Sequence, residues 1–256
     1  MGVLGSLMLT ESGENFIPSA PKPRQLLGFL MLNANRVVRA TDCITELWGT
    51  RPPKSAMSTL QTHVLNIRQA LRTPRVDLSD TLVTRNQGYQ LQVREQDFDR
   101  NRFMCLAKRG REAAADGQTA LASEVFADAL ALWRGPVLAD VPSGPMSAPH
   151  LVQLEESRKG VLEQRIEADL ALGRHHDLLD ELSTLAALHP THENVHAQLM
   201  VALYRCGDPA RAGAVFQRLR RTLGETLGIA PAPRMQRLHQ AVLSGSPLLD
   251  APAVRA

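Results

Sequence analysis

The sequence predicts a mainly α-helical chain with a small β component, built as two domains. Three observations carry that reading. Aromatic residues make up only 4% of the 256 residues while 44% are hydrophobic, and a chain rich in Ala, Leu and Arg favours helices over a β-sandwich. The texture changes near residue 95, where short strand and helix signals give way to longer helical stretches. Within that second stretch Gly173 and Gly207 lie 34 residues apart, the period of paired-helix repeats. At about 100–200 residues per domain, the division expected is residues 1–95 and 96–256.

In the first domain, residues 2–9 read as a strand ending at the turn signal Glu11-Ser-Gly-Glu14. Pro21 and Pro23 precede the apolar run Leu26–Leu32, a helix start, because proline's missing N–H costs nothing in a first turn. Val37-Val38 is a strand fragment. Thr41 or Asp42 is placed to cap a short helix through Trp48, and Gly49 to stop it. After the loop Thr50-Arg-Pro-Pro-Lys54, Ser55 caps a longer helix to about Leu71. Thr81–Arg85 and Tyr89–Val93 flank Asn86-Gln-Gly88 and predict a hairpin. Strand, helix, helix, helix, hairpin is the order of a winged helix-turn-helix.

The third helix is the informative element. Leu60, Val64, Ile67 and Leu71 share one apolar face. The other faces carry Ser58, Thr59, Thr62, His63, Asn66, Arg68, Gln69 and Arg72, with no acidic residue from Ser55 to Leu71. Hydroxyls and amides hydrogen-bond base edges, cations meet phosphates, and carboxylates are kept away, which suits a helix in the DNA major groove. Arg85 at the hairpin tip is positioned for an adjacent minor groove. Residues 1–95 carry 11 Lys and Arg against 7 Asp and Glu, whereas the whole chain has a net charge of +3. The positive excess therefore lies in the first domain, consistent with a polyanion partner for that domain. Tyr89 is expected to pack under the wing.

These residues also carry a family resemblance. Val3-Leu-Gly5, Pro23-Arg-Gln-Leu-Leu27, Leu47-Trp-Gly49, Pro52-Pro53, Thr59-Leu-Gln-Thr62, Arg68-Gln-Ala-Leu71 and Thr84-Arg…Gly88-Tyr89 resemble the Streptomyces antibiotic regulatory protein family, activators with an OmpR-type winged helix. The resemblance continues through Ala129–Gly135, Arg165–Gly173, Ala197–Met200, Ala202–Arg205 and Leu227-Gly228. It implies DNA contacts from Thr59, Thr62, His63, Asn66 and Arg68 on the helix and Arg85 on the wing. It also implies that the loop holding Arg51 and Lys54 touches the RNA polymerase holoenzyme through its sigma, alpha or beta subunits. Further implications are dimeric binding to direct repeats beside a promoter and control of an antibiotic or other secondary-metabolite gene cluster. Leu65 and Asn66 stand where many OmpR-type helices are basic, which predicts fewer charge contacts and a different base preference.

The second domain reads as a tetratricopeptide-like all-α array. Helices are expected from Phe103 to Ala115, from Gln118 to Trp133, and from about Pro149 to Leu172, with an irregular stretch between the last two. Around Gly173 and Gly207, Ala168 matches Ala202, Leu170 matches Tyr204, Leu182 matches Phe216 and Leu185 matches Leu219. Small residues let paired helices approach, and stacked pairs bury a continuous core. The family's second domain is likewise similar to tetratricopeptide helices.

Other motifs in the sequence point to other chemistry. His192-Glu-Asn-Val-His196 matches the H-E-x-x-H pattern of zinc hydrolases, but Pro190-Thr191 marks a helix start there and no third ligand follows at a metzincin spacing. Met1-Gly-Val-Leu-Gly-Ser6 matches a myristoylation pattern and reads better as the first strand. His175-His176 reads as a loop pair, and Cys43 and Cys105 as core thiols. Three scattered cysteines exclude a disulfide framework and a four-cysteine zinc site. No nucleotide-binding glycine loop, nucleophile elbow, secretion signal or membrane-spanning run is visible. The expectation is therefore a cytoplasmic DNA-binding activator that is not an enzyme, with no cofactor, no metal and no membrane partner. The rival classes are a helical-repeat adaptor docking an acidic protein and, last, a zinc hydrolase.

Overall fold

Residues 2–9 do not form one strand. In the computed structural model, which describes residues 1–250, the chain reverses at Gly5, whose φ of 141° lies outside the ordinary range of L side chains. Gly2 then bridges Met8, and Val3, Leu4, Leu7 and Leu9 are all buried. A hairpin follows, β1 (Thr10–Glu11) and β2 (Glu14–Asn15). Its two-residue loop has Ser12 and Gly13 both at positive φ, the conformation whose twist matches paired strands.

Three helices and a small sheet complete the winged helix-turn-helix. Helix α1 (Pro21–Leu32) packs against α2 (Ala40–Trp48) and α3 (Ala56–Ala70). Its Leu26, Leu27, Leu30 and Met31 are buried, as are Leu60, Val64, Ile67 and Leu71 at or beside α3. The sheet has the antiparallel order β3 (Val38–Arg39), β5 (Gly88–Leu91), β4 (Leu82–Arg85). Neither Thr41 nor Asp42 caps α2. Pairing of Val38 and Arg39 with β5 delivers the chain directly into the helix, so Arg39 takes the cap position. Ser55 does hold the cap position of α3, though its side chain makes no capping bond.

The chain divides into two compact units, residues 1–107 with 128–159 and residues 108–127 with 160–256. In the first unit, residues 128–159 are fastened to the winged helix by two buried carboxylates. Glu46 of α2 is only 2% exposed. Its carboxylate accepts hydrogen bonds from the Gly144, Met146 and Ser147 N–H groups and from Ser147 Oγ, at 2.7–3.0 Å. Gln25 of α1 donates to the Glu46 carbonyl at 2.9 Å. Asp99, the first residue of α4 (Asp99–Ala115), accepts from Val3 N, Leu4 N and Arg134 at 2.9–3.1 Å. The backbone continues this seam, with Arg134 N donating to Leu4 O and Leu138 N to Val3 O. Trp133 packs edge-on to Phe103 with Arg158 over its ring.

The second unit is built from helix pairs. Besides the C-terminal part of α4 it takes most of α5 (Thr119–Ala131), the end of α6 (Ala148–Ala171), and then α7 (Leu179–Leu188), α8 (Glu193–Arg205), α9 (Pro209–Leu227) and α10 (Pro233–Ser244). Three of its turns repeat one device. Gly117, Gly173 and Gly207 all sit at φ of 74–81°. The N–H just after each glycine returns to the carbonyl five residues back, as Gln118 to Ala113, Arg174 to Asp169 and Asp208 to Leu203. This is the helix stop that a left-handed glycine permits. Leu182, Phe216, Leu219, Met200 and Ala202 belong to one continuous core. Asp169, also buried, accepts from Ser123, Arg165 and Arg174.

Glu46→Ala is expected to lower unfolding stability by about 2–4 kcal/mol, because four donors, two of them on buried Ser147 and two half-buried, lose their acceptor. Glu46→Gln, which keeps one acceptor oxygen, is expected to lose less. Chemical denaturation of the three proteins checks the order. Equal stability of wild type and Glu46→Ala would show that the seam holds without the carboxylate.

Candidate nucleic-acid interface

The apolar stripe of α3 faces α1, so the opposite side of the helix is turned outward. Ser58, Thr62, Leu65, Asn66 and Gln69 are all exposed there. No carboxylate interrupts this face. Leu65 is 53% exposed and offers an apolar contact of the kind that a thymine methyl group in a major groove accepts. In the sequence Leu65 stands out only as a missing cation. Its position directly opposite Ile67 on the helical wheel was the available signal.

The other expected contacts have more specific surroundings. Thr59 is half-buried, with its hydroxyl 3.4 Å from that of Ser55. His63 is half-buried and stacked on Trp48, ring centroids 6.0 Å apart. Burial, with the Lys22 ammonium nearby, holds its imidazole below the ordinary histidine pKa and so favours the neutral ring. Lys22 itself donates to the Leu47 carbonyl. Arg68 turns toward the wing, donating to Leu82 O at 2.9 Å and to Thr84 Oγ1 at 2.8 Å. It therefore ties α3 to β4 and fixes the angle between helix and hairpin.

The wing is set by a glycine. A Cβ on Gly88 would lie 2.1 Å from the Val38 carbonyl oxygen, so only glycine lets β3 approach β5 this closely. The turn is consequently Asn86-Gln87 rather than Asn86–Gly88, and the positive φ, 66°, falls on Gln87. Arg85 stands exposed at the tip, with Nε donating to Gln90 Oε1 at 3.0 Å. Tyr89 is buried, as expected, and burial pushes its phenol pKa up. Between α2 and α3, Gly49 takes φ 61° and ψ −130°. Arg51, Pro52, Pro53 and Lys54 then stand exposed in one short loop.

The remaining candidates separate. His192 Nε2 lies 3.2 Å from Glu163, Glu193 accepts from the Ala232 N–H, and His196 is buried with Nδ1 against the His192 carbonyl. Each side chain of the H-E-x-x-H pattern serves a different neighbour, and the three do not converge on one point. Cys43 is buried, which pushes its thiol up to about 12. Cys105, expected in the core, is exposed instead. The apolar residues flanking it in α4 include Phe103 and Ala107, and those two take the buried face. Among the described residues no helix is long and apolar enough to cross a membrane.

Comparison with known proteins gives this geometry a family. Residues 13–91 match the C-terminal domain of transcriptional regulatory proteins, and residues 98–243 match the bacterial transcriptional activator domain. The chain is 43% identical to the regulatory protein DnrI of Streptomyces peucetius, over 98% of this chain and 94% of that one. It is 37% identical to the regulatory protein AfsR of Streptomyces coelicolor, over 97% of this chain but only 24% of that longer protein. The solved structure of Mycobacterium tuberculosis EmbR, in complex with a low affinity phosphopeptide, superposes with a TM-score of 0.89 at 32% identity, covering 96% of this chain and 65% of that one. An exposed acid-free helix beside a glycine-set wing, followed by paired helices, thus coincides with both halves of a family of transcriptional regulators rather than enzymes: the chain belongs to the Streptomyces antibiotic regulatory proteins, DNA-binding activators with an OmpR-type winged helix and a bacterial transcriptional activator domain.

Proposed function

We propose that the chain activates a secondary-metabolite gene cluster by binding direct repeats beside a promoter. Helix α3 enters the major groove, with Thr62 and Asn66 at base edges and Leu65 against thymine methyls. Thr59 and His63 line its edge, Arg68 braces the wing alongside, and Arg85 enters the flanking minor groove. The observation that carries this reading is the outward, acid-free face of α3. Repeats spaced near one helical turn, about 10–11 bp, place two copies on one side of the duplex as a dimer. The exposed loop of Arg51 and Lys54 is then free to meet the RNA polymerase holoenzyme, within the cytoplasm. The 43% identity to the regulatory protein DnrI supports a regulatory role.

Replacing Arg85 by Ala is expected to weaken operator binding by roughly 5- to 100-fold. Affinity should also fall steeply with salt, since Lys and Arg displace condensed cations from phosphates. Quantitative gel shifts across a salt series measure both. Binding insensitive to salt and to Arg85→Ala would instead favour a protein-docking adaptor.

Asn66→Ala and Arg68→Ala should behave differently from each other. The first is expected to reduce discrimination between operator and random DNA while leaving the melting temperature unchanged. The second is expected to lower the melting temperature, because it unties α3 from β4. Paired melting and competition binding would contradict this assignment if Asn66→Ala retained full discrimination.

A further inference from the structure

The 34-residue repeat brings two equivalent turns side by side, and three potential metal ligands with them. The turn after α6 runs Gly173-Arg-His175-His176, and the turn after α8 runs Cys206-Gly207. His176 Nδ1 lies 3.4 Å from Cys206 Sγ, and the rings of His175 and His176 are 4.8 Å apart. One ligand atom from each of His175, His176 and Cys206 falls within 4.8 Å of the other two, the one such trio among the described residues. His175 Nδ1 is buried with no hydrogen-bond partner.

Both turns are held in place. Arg205, next to Cys206, donates to the carbonyls of Leu170 and Leu249. Arg174, next to His175, donates to Ser123 and Asp169. The three ligand side chains themselves are half-buried or exposed, so they can rotate without disturbing the core.

We propose that His175, His176 and Cys206 bind a divalent transition metal ion of the zinc class, joining the turns of two successive helix pairs. Two imidazole nitrogens and one thiolate suit Zn²⁺ and exclude the hard cations that take oxygen ligands. Metal–ligand bonds of about 2.0–2.3 Å require the trio to close by roughly an ångström. Binding forms a zinc–sulfur bond and releases the thiol proton to water. With three protein ligands, the fourth coordination position is open to water. Because the folded chain assembles the trio and the unfolded chain does not, metal binding raises folding stability by mass action.

The test uses the full chain, stripped with a chelator and titrated with Zn²⁺ or Co²⁺. The proposal expects one equivalent bound, a thiolate-to-cobalt charge-transfer band, and a melting temperature raised by Zn²⁺ but not by Mg²⁺. Cys206→Ser should abolish the band, His176→Ala should weaken binding at least about ten-fold, and Cys105→Ser should change neither. Circular dichroism of the metal-free proteins shows whether each variant folds, and His175→Gln serves as a second ligand variant should one fail. Binding below one equivalent, a band that survives Cys206→Ser, or equal stabilisation by Mg²⁺ would overturn the assignment.

Discussion

The winged helix depends on one buried carboxylate. Glu46 collects four hydrogen bonds from residues 144–147, while its own carbonyl receives Gln25 from α1. A buried charge is tolerable only when its lone pairs are satisfied, and here the backbone N–H groups of a non-helical loop do so. The result links α1, α2 and a segment 100 residues downstream. Asp99 repeats the arrangement at the N-terminus, holding residues 3 and 4 to Arg134. The winged helix therefore does not end where its own elements end. Residues 128–159 are part of the same compact unit.

This construction explains how α3 is left free. Its apolar stripe is consumed by α1, its C-terminal half is tied to the wing by Arg68, and His63 near its middle is stacked on Trp48 at the end of α2. Three sides of the helix are thus committed, and the fourth carries hydroxyls, amides and one leucine. The hydroxyls on that side bond back only to their own helix end, Ser58 Oγ to the Ser55 carbonyl and Thr62 Oγ1 to the Ser58 carbonyl. A face of this kind, fixed in angle relative to a hairpin tip, is what groove recognition requires. Arg68 illustrates what geometry adds to composition: its charge suggests a DNA contact, and its hydrogen bonds also brace α3 against β4.

Much of this was legible in the sequence, for definite reasons. The stripe Leu60, Val64, Ile67 and Leu71 has the period of a helix, so its burial and the exposure of Thr62 and Asn66 followed from local pattern. The 34-residue glycine spacing likewise exposed the helix pairs, because a left-handed turn leaves glycine little competition. What local pattern missed was decided by distant partners. The reversal at Gly5 depends on the packing of Arg134, and the position of the wing turn depends on Val38 approaching Gly88. Glu46 sits among Cys43 and Leu47 on the buried stripe of α2. A carboxylate on an apolar face was a signal that a donor set must exist elsewhere in the chain, but no local rule says where.

On the proposed function the outward face of α3 lies in the DNA major groove, and a cleaving group placed on that face reports its position. In a chain with Cys43, Cys105 and Cys206 replaced by Ser, Asn66→Cys carrying an iron chelate should cut operator DNA at positions centred on the major groove of each repeat. The same chelate on Cys105 alone, in a chain otherwise free of cysteine, serves as the comparison. Cleavage from position 66 that is confined to each repeat and offset as a major-groove source requires is the predicted result. Diffuse cleavage, or cleavage from position 66 no more localised than from position 105, would contradict it.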